Sequence, residues 1–452
     1  MHAMPVVAPR PCARVALLGL DGLSLDIARA IAAFGRTPHL AALCQDPRTT
    51  TVDAELPELS PVNWTSLATG EGPEVHGVYG FTRINPATYA ITIGDSRQVR
   101  LPTIFDQLTR HGRVCRVLNL PGLWPVRPRS GMPDTPSTLI AGFIAPSLED
   151  AVHPPALVGE LRRAGYRIEA DTLRGAADPA YLLAQLRETL RGRRLLLQRF
   201  LAPGDFHCLC CVFTETDRLF HFLLPAVLEA DHPWHPACLA FLEEWDAAVG
   251  LFFRMAKALP GETRILVMAD HGFAPLHTEF DVNAWLRSQG LLLQEERPAA
   301  SSGNGLDAGT IRHGAAAFAL DPGRIHLHRR DIYARGSVTP TQEPALLERI
   351  RTGLLALRWN GQPVMEDVFL GRDLYPGDHS PDRPDLVCLS RPGVDLKAKW
   401  DRRELFGLYG RHGMHTARGA IFYDSLGQTP PRRMREVGRL LLESGQAGGL
   451  LT

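Results

Sequence analysis

Thr263 to Phe273 reads TRILVMADHGF, and its first half is the sequence form of a strand buried on both faces. Ile265 to Ala269 is an almost unbroken apolar run rich in branched residues, as in the interior of a parallel sheet. The run stops at Asp270, His271 and Gly272. A carboxylate and an imidazole at the carboxyl end of a central strand stand where open α/β sheets hold their ligands, and glycine leaves room for the turn. Taken alone, the pair reads equally well as an acidic helix cap followed by a surface histidine.

Two other apolar runs end in the same way. Val15 to Leu20 stops at Asp21-Gly22, and Cys208 to Phe213 leads through Thr214-Glu215-Thr216 to Asp217, with His221 one helical turn later. Three acids delivered to one edge of one sheet are costly unless cations hold them. Aspartate together with histidine points to zinc or a related transition metal, because magnesium and calcium favour oxygen donors alone.

The 452 residues, 45% hydrophobic and 22% charged, have an ordinary globular composition and can bury a large core. A formal net charge of zero supplies no bulk field for nucleic acid or an anionic membrane. Lys257, Lys397 and Lys399 are the only lysines among 49 basic residues, and the scattered arginines read as coding bias rather than a phosphate-binding surface. Met1 to Arg14 has no sustained apolar core, so neither a secretory signal nor a membrane anchor is expected, and no stretch is long enough to span a bilayer. The eight cysteines show no pairing pattern, and Cys208, Cys210 and Cys211 fall inside a buried-type strand. Free thiols in a reducing cytoplasm are the expected state.

Strand and helix patterns alternate along the chain. Helices are expected over Ser24 to Phe34, from Pro38, and over Leu101 to His111, Pro155 to Ala164, Pro179 to Leu201, Trp234 to Leu259 and Glu343 to Leu357. Strands are expected over Thr49 to Val52, Arg113 to Leu120, Thr138 to Ala145, Arg324 to His328, Val364 to Leu370, Asp385 to Ser390 and Gly419 to Tyr423. This alternation with long crossovers predicts an α/β fold: a doubly wound, mainly parallel sheet with helices on both faces and a smaller inserted α+β lobe. The predicted division is a metal-hydrolase core over 14–290, a cap or substrate lobe over 291–380, and a return to the core with a C-terminal segment over 381–452. Gln294 to Gly309 is the strongest loop in the sequence.

Ser60 opens the run Ser60-Pro61-Val62-Asn63-Trp64-Thr65-Ser66-Leu67-Ala68-Thr69-Gly70. Pro61 and Asn63 favour a turn, a helix can follow, and Gly70 suits its exit. A hydroxyl just before a helix has main-chain donors beside it for a phosphate oxygen, although Ser60 by itself is equally an ordinary N-cap. Near the other end, His415 lies in the glycine-flanked approach Gly413-Met414-His415-Thr416 to a strand.

Together these stretches resemble the alkaline phosphatase superfamily, and within it the type I phosphodiesterase and nucleotide pyrophosphatase branch, from about Arg14 to Tyr423. The resemblance rests on Leu18 to Gly22, on Ser60-Pro61-Val62-Asn63 followed by Thr69-Gly70, Pro73-Glu74 and His76-Gly77, on Asp217 and His221, on Asp270 to Gly272, and on His415 with Gly419, Ile421 and Phe422 after it. It implies two divalent ions, zinc with manganese or iron as alternatives. One would be held by Asp217, His221 and His415, and the other by Asp21, Asp270 and His271 with the Ser60 oxygen. Two such ions can clamp the attacking and departing oxygens of an in-line displacement. Ser60 would be the nucleophile, its hydroxyl pKa lowered by the neighbouring ion, with a phosphoseryl intermediate released by water. Asn63 would donate an amide hydrogen to a non-bridging oxygen, which suits a singly charged diester.

Serine replaces the branch's commoner threonine. The Cys/Ser-x-Pro-x-Arg setting of sulfatases is absent, as is the large insertion of cofactor-independent phosphoglycerate mutases, and Arg432 to Thr452 lacks the usual closing segment of the branch. His412 competes with His415 as a ligand, but the residues after His415 match the family better. His76 reads as support for its loop. His326 and His328 alternate on a strand of the small lobe, half-exposed or facing substrate, and Tyr79 and Phe81 read as an aromatic wall or as core. The expected protein is a cytoplasmic hydrolase of phosphodiesters or nucleotide pyrophosphates acting on a small molecule, without a nucleic-acid polymer or a membrane. Phosphonate hydrolysis or phosphoryl transfer on the same site is the alternative, and a catalytically inactive metal-binding protein the more remote one.

Overall fold

The apolar runs of the sequence become the middle of one sheet. A computed structural model describes residues 14–126, 135–295, 308–320 and 322–447. Its eight-stranded sheet runs in the order Thr49–Val52, Ala420–Asp424, Thr263–Met268, Arg14–Leu20, Cys208–Phe213, Cys115–Leu120, Thr138–Ala141, Val152–His153. The five strands from Thr263–Met268 to Thr138–Ala141 are parallel, and the flanking pairings are antiparallel. Burial explains the composition: every residue of Cys208–Phe213 is buried, so branched and small apolar side chains occupy both faces.

Helices follow the strands as the alternation requires. Ser24 caps Leu25–Ala33 by accepting from the Ile27 N–H at 3.3 Å, and Asp178 caps Pro179–Phe200 in the same manner. The amphipathic helix Met434–Ala447 packs against Ser60–Thr69 and Ile104–Arg110, so the C-terminal segment backs the helix that carries Ser60. Among the described residues no helix is long and apolar enough to cross a membrane.

The small lobe has its own core around Phe280, Trp285, Phe318 and Ile350. Its four-stranded sheet runs Ala317–Leu320, Arg324–Leu327, Leu386–Ser390, Met365–Leu370. Leu386–Ser390, expected on the returning side of a boundary at 380, therefore belongs to the lobe. So does Val394–Lys397, which pairs in parallel with Thr278–Asp281. The pattern of apolar residues locates a strand but does not say which sheet completes it. The loop expected over Gln294 to Gly309 lies mostly outside the described residues; at its edges Gln294 bridges Ile311. His326 and His328 are buried rather than half-exposed. His326 stacks on Phe318 and the His328 Nε2 meets the Tyr89 hydroxyl at 2.6 Å, so both serve the lobe interior.

Candidate active site

Parallel register brings the strand ends level. Gly19 pairs with Met268 and Leu20 with Phe213, so Asp21 and Asp270 leave the sheet side by side, and the Asp21 N–H donates to the Phe213 carbonyl at 2.9 Å. Gly22 has φ +70°, which turns the chain away at once, and a Cβ there would lie 3.1 Å from the Asp217 Cβ. Asp217 sits in the first turn of Glu215–Leu228, whose Thr216 hydroxyl donates to the Asp21 carbonyl at 2.6 Å. His415 arrives on a two-stranded ribbon that period reading missed: Gly272–Pro275 pairs antiparallel with Gly413–Thr416, placing Phe273 opposite His415. A side chain at Gly272 would strike the Arg418 carbonyl, so the Asp-His-Gly glycine is what lets the ribbon close.

Seven of the eight expected residues converge. His415 Nε2 lies 3.1 Å from Asp217 Oδ1 and 3.0 Å from His221 Nε2, and His221 Nε2 lies 3.4 Å from Asp217 Oδ1. His271 Nε2 lies 3.3 Å from Asp270 Oδ2, 3.8 Å from Asp21 Oδ1 and 3.2 Å from Ser60 Oγ. The His271 and His415 rings stack at 3.6 Å and join the two groups. His412 is exposed, and its backbone N–H donates to the His221 carbonyl.

Each of the three imidazoles is oriented alike. His221 Nδ1 meets the Gly413 carbonyl at 3.1 Å, His271 Nδ1 that of Gly272 at 3.1 Å, and His415 Nδ1 that of Glu58 at 3.0 Å. A carbonyl only accepts, so every Nδ1 carries the proton and every Nε2 turns a lone pair inward, the arrangement of metal-ligating histidines. His221 and His415 thus face each other with two lone pairs at 3.0 Å, a contact that a cation relieves. The acids carry the same signature: both Asp21 carboxylate oxygens and Asp270 Oδ2 are buried without any donor. Donor chemistry, orphaned oxygens and orientation all fit divalent ions at Asp217/His271/His415 and at Asp21/Asp270/His271, with His221 beside the first group.

Electrostatics agree with this geometry. Burial first, and then the charges of Asp270 and Asp217, push the Asp21 carboxyl well above its usual range. Burial, and then the charge of Asp217, raise Asp270 to about 6. Burial holds His271 at about 4 and lowers His221 and His415, keeping the imidazoles neutral. Burial opposes the Asp217 charge, yet this carboxyl stays well below the ordinary value, with the Arg218 guanidinium bonded to it.

Ser60 is the first residue of the helix Ser60–Thr69, and Leu59 occupies the cap, so the serine is not an N-cap. Its hydroxyl donates to His271 Nε2. Asn63 corrects the expectation made for it. Its amide hydrogens go to the carbonyls of Leu59 at 3.1 Å and Glu55 at 3.3 Å, and its oxygen accepts the Glu55 N–H at 2.6 Å. No hydrogen is left for a phosphoryl oxygen; Asn63 ties the turn that presents Ser60. His76 supports its loop as expected, meeting the Ser66 hydroxyl at 2.9 Å and accepting the Val78 N–H at 3.1 Å. Tyr79 is buried, bonds Asp378 and packs on Tyr375, whereas Phe81 lines the cavity.

That cavity, of about 600 Å³, opens onto Ser60, His221 and His415. Arg218 reaches it, bonded to the Asp217 carboxylate and to Glu169 Oε2 at 3.0 Å, with its guanidinium 4.6 Å over the Phe143 ring. Sequence reading missed Arg218. Its one available signal was its place directly after a metal-type aspartate.

Fold and site define a hydrolase of alkaline phosphatase-like architecture. The model of the type I phosphodiesterase / nucleotide pyrophosphatase family matches residues 15–418, and the chain belongs to that family. Phosphonoacetate hydrolase from Sinorhizobium meliloti 1021, in complex with phosphonoformate, superimposes with a TM-score of 0.65 at 17% identity over 97% of each chain. Murine ectonucleotide pyrophosphatase/phosphodiesterase 5 gives a TM-score of 0.54 at 13% identity, over 96% of this chain and 95% of that one; its inactive variant in complex with AMP gives the same values. No functionally curated protein matches the sequence.

Proposed function

We propose that the protein hydrolyses phosphodiester or nucleotide pyrophosphate bonds of a small molecule through a phosphoseryl intermediate on Ser60. The observation that carries this reading is the convergence on Ser60 of inward-facing Nε2 lone pairs and donor-less carboxylate oxygens. Asp217, His221 and His415 would hold one divalent ion, and Asp21, Asp270 and His271 with the Ser60 oxygen the other. Mixed nitrogen and oxygen donors favour zinc over manganese or iron. Bound there, the ions would supply Lewis-acid charge that lowers the serine pKa and offsets charge developing on phosphorus.

The chain does the remaining work. Asn63 holds the turn so that the Ser60 oxygen faces the cavity at the head of its helix. As the Ser60 O–P bond forms, the bond from phosphorus to the leaving oxygen breaks; water then attacks phosphorus and frees the serine oxygen. Arg218, fixed between Asp217 and Glu169, offers its remaining guanidinium hydrogens to non-bridging oxygens. Phe81 and Phe143, 6.4 Å apart, give the leaving group an apolar wall. A reducing cytoplasmic location is supported by the seven free cysteines among the described residues, of which Cys44 alone is not buried.

A second reading keeps the residues and changes the bond. The neighbour named phosphonoacetate hydrolase acts on a phosphonate, so carbon–phosphorus hydrolysis is the alternative outcome. The test is turnover of bis(p-nitrophenyl) phosphate and of phosphonoacetate by the wild type and by Ser60→Ala in ¹⁸O-labelled water. Diester turnover that disappears with Ser60→Ala, with label in the phosphate product, supports the reading. Undiminished turnover by Ser60→Ala removes the serine from the mechanism, and label left in solvent shows transfer to another acceptor.

A further inference from the structure

Two of the chain's three lysines, Lys397 and Lys399, line the cavity that holds Ser60. The parallel pairing of Val394–Lys397 with Thr278–Asp281 brings them there, and the bond from the Lys399 N–H to Asp281 Oδ2 at 2.9 Å extends that path past the strand end. Arg411 reaches the same cavity from a different segment. Its neighbour His412 donates a backbone N–H to the His221 carbonyl at 2.7 Å.

Two other cations of the cavity are paired, Arg402 with Glu279 at 2.8 Å and Arg218 with Asp217 and Glu169, while burial pushes the carboxyl of Glu58, which also lines the cavity, up to about 7. Lys397 is buried and, among the described residues, pairs only with Asp395, which leaves ammonium hydrogens over. Among the described residues, neither the Lys399 ammonium nor the Arg411 guanidinium has a carboxylate within ion-pair range. Cations gathered in a concave, partly dry wall repel one another and raise the local concentration of anions. The phosphorus under attack does not satisfy them all, because metal-type ligands and Arg218 already serve it.

We propose that Lys397, Lys399 and Arg411 form a second anion subsite, so that the preferred substrate carries a carboxylate or phosphate in addition to the phosphorus attacked. The proposal rests on the phosphoryl-transfer reading above. Diesters with a neutral or cationic leaving group, phosphocholine esters among them, are then poor substrates.

The experiment measures inhibition of bis(p-nitrophenyl) phosphate turnover by three ligands: phosphonoacetate, methylenediphosphonate, and phosphonoacetamide, whose second arm is neutral. The same three are titrated calorimetrically into the metal-loaded protein, which reads affinity without turnover. The expected result is that a charged arm binds at least about tenfold more tightly than the amide, the scale of one charge-assisted hydrogen bond. The preference falls to near one in Lys399→Gln/Arg411→Gln, and the better of the two charged ligands identifies carboxylate or phosphate. Lys399 is exposed and Arg411 half-buried, so the double variant retains the core, and its melting temperature is the control. Equal affinities in the wild type, or a preference that survives in the double variant, overturns the subsite. Ser60-dependent turnover with either of those results removes the subsite alone, whereas Ser60-independent turnover removes the reading beneath it.

Discussion

His415 Nε2 lies 3.1 Å from Asp217 Oδ1 although 198 residues separate them in the chain. The contact joins the ribbon Gly413–Thr416 to the first turn of Glu215–Leu228, two elements that meet only because the sheet has formed behind them. It also ties the last histidine of the site to the integrity of the whole α/β core.

Metal removal should therefore be felt in stability. Without ions, donor-less carboxylate oxygens and two facing lone pairs stay buried together. Ions at about 100 times their dissociation constant contribute about 2.7 kcal/mol by mass action. The expected outcome is a melting temperature several degrees lower in a chelator and restored by zinc. An unchanged melting curve, with no metal found in the purified protein, would remove the ions from the fold.

Asn63→Leu should act through folding. It leaves the Glu55 N–H and carbonyl without partners, whereas the Leu59 carbonyl keeps the Val62 and Asn63 N–H groups, at a cost of about 2–4 kcal/mol. Denaturant melts are expected to show that loss. Full stability with a collapsed kcat would return Asn63 to the role of a donor to phosphorus.

Arg435 clamps the segments on either side of the Ser60 helix. Its guanidinium bonds both Glu55 oxygens at 2.7 Å and also binds Glu74, while the Glu55 side chain is 2% exposed. Arg435→Met leaves Glu55 with Arg433 at 3.6 Å as its remaining partner and should cost about 3 kcal/mol. Adding Glu55→Gln should recover much of that. A double variant no more stable than the single one would show that Arg435 acts by packing.

The small lobe should be acid-sensitive. Burial depresses His326 to about 3 and His328 to about 4, below the ordinary histidine value. Groups with lowered folded pKa values contribute stability that is complete above about pH 6.5 and is lost as pH falls toward the folded values. Each gives a slope of up to about 1.4 kcal/mol per pH unit in that window. Urea melts between pH 7 and 4 should show declining stability, less steep in His326→Phe. Parallel slopes for wild type and variant would contradict this.

Sequence reading went furthest where chemistry repeats a local pattern. Three apolar runs, each ending in an acid, marked strands that the structure pairs as neighbours. It went least far where a residue's use depends on what lies opposite. Asn63 looks like a ligand donor until Glu55 and Leu59 are seen to take its hydrogens. Leu386–Ser390 carries no mark of the sheet it joins, and Arg218 looks like any helix-surface arginine until Phe143 and Glu169 enclose it.

By itself, the order of residues determined the α/β class and the donor types, because unbroken apolar runs and the cost of buried acids operate within a few residues. The tertiary structure decided which histidine nitrogen faces inward, which hydrogens remain free and which cations share a cavity with Ser60. Those properties depend on carbonyls and charges contributed by segments distant in the chain, and no local pattern encodes who the neighbours are.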